Sequence, residues 1–276
     1  VFQNKIKREN MQQIRLRGIH YCYEDLHQDQ SNAILLVHGH PFDHTMWKEQ
    51  IESLGEYRLI LPDLRGYGKT DYDFDKIFIE EHALDLVYLL DHLRIEKVHL
   101  IGLSMGGQII VEFARLFPHR TRSLIICDSN PAGETEISRQ QRLELADKMI
   151  KIGMEAYTKQ NIFYYLHRDT IAEKGEAYHH LCEMMVKTPV RGAAASHRGR
   201  AERRDNFEYL SKLDKPVAVI VGGQDYFTPF EEMRKVAEAI KGTGLTVIEY
   251  AGHLPNMEQP AVFNRIIRSF LDRNNG

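Results

Sequence analysis

Cysteine is scarce in this chain. Cys22, Cys127 and Cys182 are the only three in 276 residues. A set that is odd and widely spaced does not make a disulfide framework, and no pair has zinc-ligand spacing. Free thiols in a reducing, cytoplasmic compartment are expected. Long apolar runs are missing too. None approaches the ~20 residues needed to span a bilayer, so no membrane partner is expected. Neither sign of charge dominates: Lys and Arg number 36, Asp and Glu 39, for a net charge of −3. That balance gives no reason to expect nucleic acid as a partner. Internal repeats and low-complexity stretches are lacking. The N-terminus has no apolar signal-peptide region and no small-residue cleavage site. Met11 is read as the natural start, and residues 1–11 as an N-terminal extension.

What is present is an ordinary globular composition, 43% hydrophobic and 27% charged, with a regular alternation of elements. Gln13–Tyr23 reads as a β-hairpin turning at Arg17-Gly18. Short apolar runs at Ala33–Val37, Tyr57–Leu61, Lys97–Ile101, Ser123–Cys127, Val217–Val221 and Leu245–Tyr250 read as strands. Ile77–Leu93, Gln108–Phe117, Glu231–Ile240 and Ala261–Leu271 have helical spacing. Strands alternating with amphipathic helices imply an α/β fold: a mostly parallel central sheet with helices on both faces. Residues 131–213 break the alternation. They are helical in pattern throughout and are expected to form an inserted helical cap between core segments 12–130 and 214–276.

The most informative run is Gly102-Leu-Ser104-Met-Gly106, a G-x-S-x-G pentapeptide between an apolar strand and a helix. A serine on such a tight turn is held in a strained conformation with its hydroxyl exposed at the sheet edge. Small residues on either side keep the turn free of clashes. The N–H of Met105, at a helix N-terminus, is placed to donate to an oxyanion. A second donor is expected from the loop after Val37, where Gly39 permits close approach and the N–H of His40 follows. His38 is read as a buried histidine that braces this loop.

A serine nucleophile needs a base and a group to orient that base. Fourteen histidines make the mere presence of one downstream uninformative. His253 is singled out because it directly follows a strand, and Asp225 because it does the same. In a parallel sheet the strand C-termini share one edge, so Ser104, Asp225 and His253 are expected to converge there. Asp128 also ends a strand and competes for the acid's role. For the pocket, Trp47, Phe163, Tyr164 and Tyr165 are candidate lining residues. Arg191, Arg198, Arg200, Arg203 and Arg204 crowd the end of the cap; an inward-facing one would hold a substrate carboxylate, and otherwise they form a solvated face.

Other motifs fail. Gly68-Lys69-Thr70 mimics the end of a phosphate-binding loop, but Asp63 stands where that motif needs glycine. His38, His40, Asp43 and His44 suggest a metal cluster, yet no matching downstream ligands follow, and no metal is expected. A metallohydrolase using that cluster and a non-catalytic small-ligand receptor remain as alternatives.

Taken together, His38-Gly39-His40-Pro41, Asp63-Leu-Arg-Gly-Tyr-Gly-Lys-Thr70, Gly102-Leu-Ser-Met-Gly-Gly107, Gly223-Gln-Asp225 and Gly252-His253-Leu-Pro-Asn-Met-Glu-Gln-Pro260 resemble the α/β-hydrolase superfamily. The stretches His38–Trp47 and Cys127–Thr135 resemble its carboxylesterase and enol-lactonase-like members. The resemblance implies the α/β-hydrolase fold and a cofactor-free serine hydrolase acting on a small ester or lactone. It implies Ser104, Asp225 and His253 as triad, and the His40 and Met105 N–H groups as oxyanion hole. It does not name the substrate, because one fold hosts many activities. Oligomeric state is not legible.

Overall fold

The computed structural model describes residues 11–275; the expected extension, up to residue 10, lies outside them. Eight strands form one sheet: β1 (Gln12–Leu16), β2 (Ile19–Leu26), β3 (Ala33–Val37), β4 (Arg58–Pro62), β5 (Val98–Leu103), β6 (Thr121–Cys127), β7 (Val217–Gly222) and β8 (Leu245–Ile248). Their order is β1-β2-β4-β3-β5-β6-β7-β8. The first two pairings are antiparallel and the rest parallel. The hairpin turns at Arg17 and Gly18, both at positive φ.

Composition explains which strands are central. Ala33–Val37 and Val98–Leu103 are buried at every position, so their apolar runs need no alternation with polar residues. The edge strand Gln12–Leu16 alternates instead, as a strand with one wet face must. Helices Ile79–His92 and Met105–Leu116 lay long apolar faces on the sheet. The Arg65–Asp85 pair joins the first of these to the loop after β4 through two hydrogen bonds of 2.8 Å.

A helical insertion sits between β6 and β7. It contains helices Glu136–Asn161, Arg168–Glu173, Glu176–Lys187, Val190–Arg200 and Phe207–Ser211. The first is bent at Gly153, whose φ of 75° and ψ of 166° interrupt the helical path. Helix Val190–Arg200 lies directly on the core. Ile77 donates its N–H to Ala195 O at 3.0 Å, and a Cβ on Gly199 would overlap the carbonyl of Ile77. Among the described residues no helix is long and apolar enough to cross a membrane.

Register carries the argument toward one edge. Val37 pairs with Gly102, Leu103 with Cys127, Cys127 with Ile220, and Gly222 with Ile248. The C-terminal ends of β3, β5, β6, β7 and β8 are therefore aligned, and the loops leaving them meet. At the centre, a Cβ on Gly106 would fall on the carbonyl of Val37, and one on Gly102 on the carbonyl of Gly106. Gly106→Ala is expected to cost about 1–3 kcal/mol by overpacking, lowering the melting temperature by several degrees. An unchanged melting curve would mean that the turn has room to spare.

Candidate active site

Ser104 joins β5 to helix Met105–Leu116 with φ 58° and ψ −119°. That left-handed region costs a serine on the order of 1–3 kcal/mol, so the surroundings must over-determine it. They do. The Ser104 N–H donates to Cys127 O at 2.9 Å. The Ser104 carbonyl accepts from Gly107 N–H at 3.0 Å and from the Ser129 hydroxyl at 2.6 Å. With both backbone groups tied down, the side chain is the part left to reach outward, and the residue stays partly accessible.

His253 and Asp225 meet in a buried pair. Nδ1 of His253 lies 2.8 Å from Oδ2 of Asp225, and the two residues are 2% and 6% exposed. Asp225 also accepts from the Phe227 N–H at 2.8 Å and from the Thr228 hydroxyl. Burial alone would raise its pKa. The His253 charge and hydrogen bond, with the Thr228 and Phe227 donors, outweigh this and hold it below the usual carboxylate value. An ionised Asp225 fixes the proton of His253 on Nδ1, leaving the Nε2 lone pair available. The His253 backbone N–H donates to Tyr165 O at 2.9 Å, anchoring the loop to the insertion.

Asp128 is close but differently employed. Its oxygen lies with those of Asp225 and a His253 nitrogen inside a 4.8 Å cluster. Oδ1 accepts from the Gly222 N–H at 2.8 Å, while Oδ2 receives no donor from the described residues and Asp128 interacts instead with the Asp225 carboxylate. Burial and then the neighbouring Asp225 charge push its pKa well above the carboxylate range. Two carboxylates this close do not both ionise in a buried site. Asp225 holds the charge and the hydrogen bond to histidine; Asp128 is neutral.

The loop after β3 presses on the turn. A Cβ on Gly39 would lie 2.9 Å from Leu103 O and 3.0 Å from Ser104 Cβ, which brings the His40 backbone beside the serine. The Met105 N–H, first in its helix, has no intrahelical acceptor. His38 braces the loop: Nδ1 lies 2.8 Å from Gly39 O, and Nε2 accepts from the Leu64 N–H at 3.0 Å. The His40 side chain links the loop after β4 to the insertion. Nδ1 lies 2.8 Å from the Tyr67 hydroxyl and Nε2 3.0 Å from Nε2 of His197. Burial, then the Arg200 charge, holds His40 well below the ordinary histidine value, so this chain is built from neutral rings.

The same loop is inconsistent with the four-residue metal cluster. His38 spends both ring nitrogens on backbone and His40 both on side chains. His44 instead bonds Asp63 at 2.7 Å, and near this loop the described residues that bring donor atoms together are Asp43, His44 and Asp63. Asp63 itself is filled by the N–H groups of His44 and Lys69.

Comparison with known proteins gives the family. A profile described as "Alpha/beta hydrolase family" matches residues 34–266. The chain belongs to the alpha/beta hydrolase family. It is 34% identical to a thermophilic esterase from Thermogutta terrifontis solved with malate bound, at a TM-score of 0.91, covering 97% of this chain and 100% of that one. It is 28% identical to 3-oxoadipate enol-lactonase 1 of Acinetobacter baylyi, over 87% of this chain and 88% of that protein. It is 27% identical to a putative 2-succinyl-6-hydroxy-2,4-cyclohexadiene-1-carboxylate synthase of Bacillus subtilis, over 92% of this chain and 95% of the relative.

The expected pocket residues of this hydrolase divide. Tyr165 is buried, with its ring centroid 6.0 Å from that of His253, 4.7 Å from Phe227 and 5.6 Å from Phe42. Phe163 and Tyr164 do not share that position. They are 57% and 43% exposed, and Tyr164 stacks on Tyr226 at 4.5 Å. They follow one another in a short 3-10 helix, so their side chains radiate apart. Trp47 is fully buried in the core and packs on Phe263 of the C-terminal helix, 6.4 Å between centroids. Its contacts are those of a core residue rather than a pocket wall. Tyr67 and His197 were not anticipated from sequence, because each finds its partner only through the fold; Thr228 was not singled out either, although its partner Asp225 is only three residues away.

Glu258 was not anticipated either, although it stands in the Gly252–Pro260 motif. One oxygen accepts from the Gly252 N–H and the other from the His167 N–H, each at 2.7 Å. It therefore clamps the His253 loop to the insertion. Burial raises its pKa from 4.5 to about 7, against the lowering effect of these donors and Thr170. The folded state thus holds this proton more tightly than the unfolded chain. The associated stability is complete below the unfolded pKa and is lost as pH rises through about 7, at up to roughly 1.4 kcal/mol per unit. Between pH 5 and 8 the melting temperature should fall, and Glu258→Gln should flatten that slope. Parallel slopes for the two proteins would show that Glu258 is not the titrating group.

Proposed function

We propose that this alpha/beta hydrolase is a serine hydrolase that cleaves a carboxylic ester or lactone through an acyl-enzyme. The observation that carries this reading is the strained Ser104 turn, at the same sheet edge as the buried His253–Asp225 pair. Strain of this kind survives folding only where the environment enforces it, and here it leaves a hydroxyl as the free end. The relatives, an esterase and an enol-lactonase, support the same chemistry.

In this mechanism Nε2 of His253 takes the Ser104 proton while Oγ attacks the carbonyl carbon. The Met105 and His40 N–H groups hold the oxyanion of the tetrahedral intermediate. His253 passes the proton to the leaving alkoxide, and the acyl-enzyme remains. Water, deprotonated by His253, then attacks the acyl carbon, and Ser104 leaves with the proton restored. Asp225 holds the tautomer and stabilises the imidazolium. The neutral Asp128 lets Asp225 keep the local negative charge without a second one beside it.

Ser104→Ala should lower ester turnover by on the order of 10⁴-fold and abolish labelling by a serine-directed phosphonate. Retention of a tenth of the turnover would exclude the serine mechanism. Asp225→Asn should lose about 10³- to 10⁴-fold, because the orienting charge and tautomer go together. Asp128→Asn, which replaces one neutral group by another of the same shape, should lose far less. The reverse ranking would reassign the acid.

Tyr165 and Phe163 offer a contrast two positions apart. Tyr165→Ala should reorder preference along a series of p-nitrophenyl esters of rising acyl length, because its ring packs beside His253. Phe163→Ala should leave that profile alone. Equal effects would mean that the profile is set by cap stability rather than by contact.

A further inference from the structure

Arg200 ends helix Val190–Arg200, and only 7% of it is exposed. Other sequestered arginines have carboxylate partners: Arg65 has Asp85 and Asp73, and Arg142 and Arg203 share Glu134. Arg200 makes no ion pair with any described residue. Its hydrogen bond is from Nε to Gln108 Oε1, at 3.2 Å. A buried charge without a counter-charge is costly. The cost is visible in the guanidinium, which burial and then the neighbouring Arg142 push down to about 9, still charged at neutral pH.

Its surroundings belong to the site. Gln108 lies one helical turn beyond Ser104, on the helix whose first N–H is that of Met105. The side chain of Gln108 is braced in turn by the Asn130 carbonyl, at 3.1 Å. The groups that act electrostatically on Arg200 are Arg142, Tyr67, Tyr165 and Tyr157. Tyr67 bonds His40 of the loop beside the serine, and Tyr165 packs near His253. The Tyr157 and Tyr165 hydroxyls are 3.4 Å apart. Neutral histidines, tyrosines and a glutamine surround the cation, together with Arg142, whose own carboxylate partner is Glu134; none of the groups acting on Arg200 carries a negative charge at neutral pH.

We propose that Arg200 is the carboxylate-binding residue of the substrate pocket, and that the substrate is an ester or lactone bearing a carboxylate away from the bond that is cleaved. This inference rests on the hydrolase reading above. Gln108 fixes the Nε edge of the guanidinium, so the Nη atoms are the edge left for a ligand. Their paired N–H groups match the two oxygens of a carboxylate. The ligand then supplies the counter-charge that the fold withholds. The four other arginines at the end of the cap differ in kind: Arg203 has Glu134, Arg198 has Asp147, and Arg191 and Arg204 are not buried.

The test is the specificity ratio, kcat/KM for a charged ester over that for a neutral one of equal length. Monomethyl succinate, glutarate and adipate serve beside methyl butyrate, valerate and hexanoate. The wild-type ratio should exceed about 10 for at least one pair, and Arg200→Gln should lower it by about 10- to 100-fold, the worth of a charge-assisted bidentate contact. Arg200→Lys should keep part of it. A wild-type ratio at or below unity for every pair, or an equal fall for both esters in Arg200→Gln, would overturn the inference. If Arg200→Gln does not fold, wild-type inhibition decides. Free glutarate competing where the uncharged valeramide does not supports the proposal, and no difference between them defeats it. Phosphonate labelling of Ser104 and neutral-ester turnover report on the hydrolase reading without involving Arg200, so the two ideas fail separately.

Discussion

The site depends on crowding at one turn. Gly106 has no Cβ because the Val37 carbonyl occupies its place, and Gly102 none because the Gly106 carbonyl does. Three backbone segments therefore meet at closer range than side chains permit. That contact forces Ser104 to positive φ, and it also seats the Gly39–His40 loop against the serine. Conformational strain and the two candidate oxyanion donors are thus products of the same packing. The hydrogen bonds from Ser104 N–H to Cys127 and from Ser129 to Ser104 O hold the strain in place.

Around this turn the protein distributes charge sparingly. Asp225 is ionised because it receives His253, Thr228 and Phe227, whereas Asp128 receives a single backbone N–H and stays neutral. Chain position does not separate the two; both follow strands and both are buried. The difference lies in the number of donors each turn geometry presents. Burial, neutral partners and nearby cations keep His40 and His197 uncharged.

Much of this order was written in local sequence. Central strands were legible because full burial on both faces requires unbroken apolar runs, as in Ala33–Val37, whose expected and observed limits coincide. The turn at Ser104 was legible because its glycines are sterically obligatory. The meeting of Asp225 with His253 followed from both lying just beyond parallel strands. What stayed hidden depends on contacts across long stretches of chain: Tyr67 with His40, His197 with His40, Glu258 with His167. Trp47 and Phe163 were misplaced for a related reason. Aromatic character marks a side chain that buries area, but not whether it does so in a core, a pocket or neither.

The insertion adds what the sheet cannot. Parallel strands and their helices supply a rigid edge with fixed backbone donors. Helix Val190–Arg200 approaches that edge closely because Gly199 and Gly192 admit the backbone of the core, at Ile77 and Gly66 respectively. Its last residue is carried inward rather than out to solvent, and the arginine's length reaches Gln108 on the elbow helix. Two closely packed glycines on the cap thus determine the depth of a cation, as two on the sheet determine the strain of a serine. The cation and the serine are positioned by separate pieces of chain, each fixed by backbone contacts that leave no room for a methyl group.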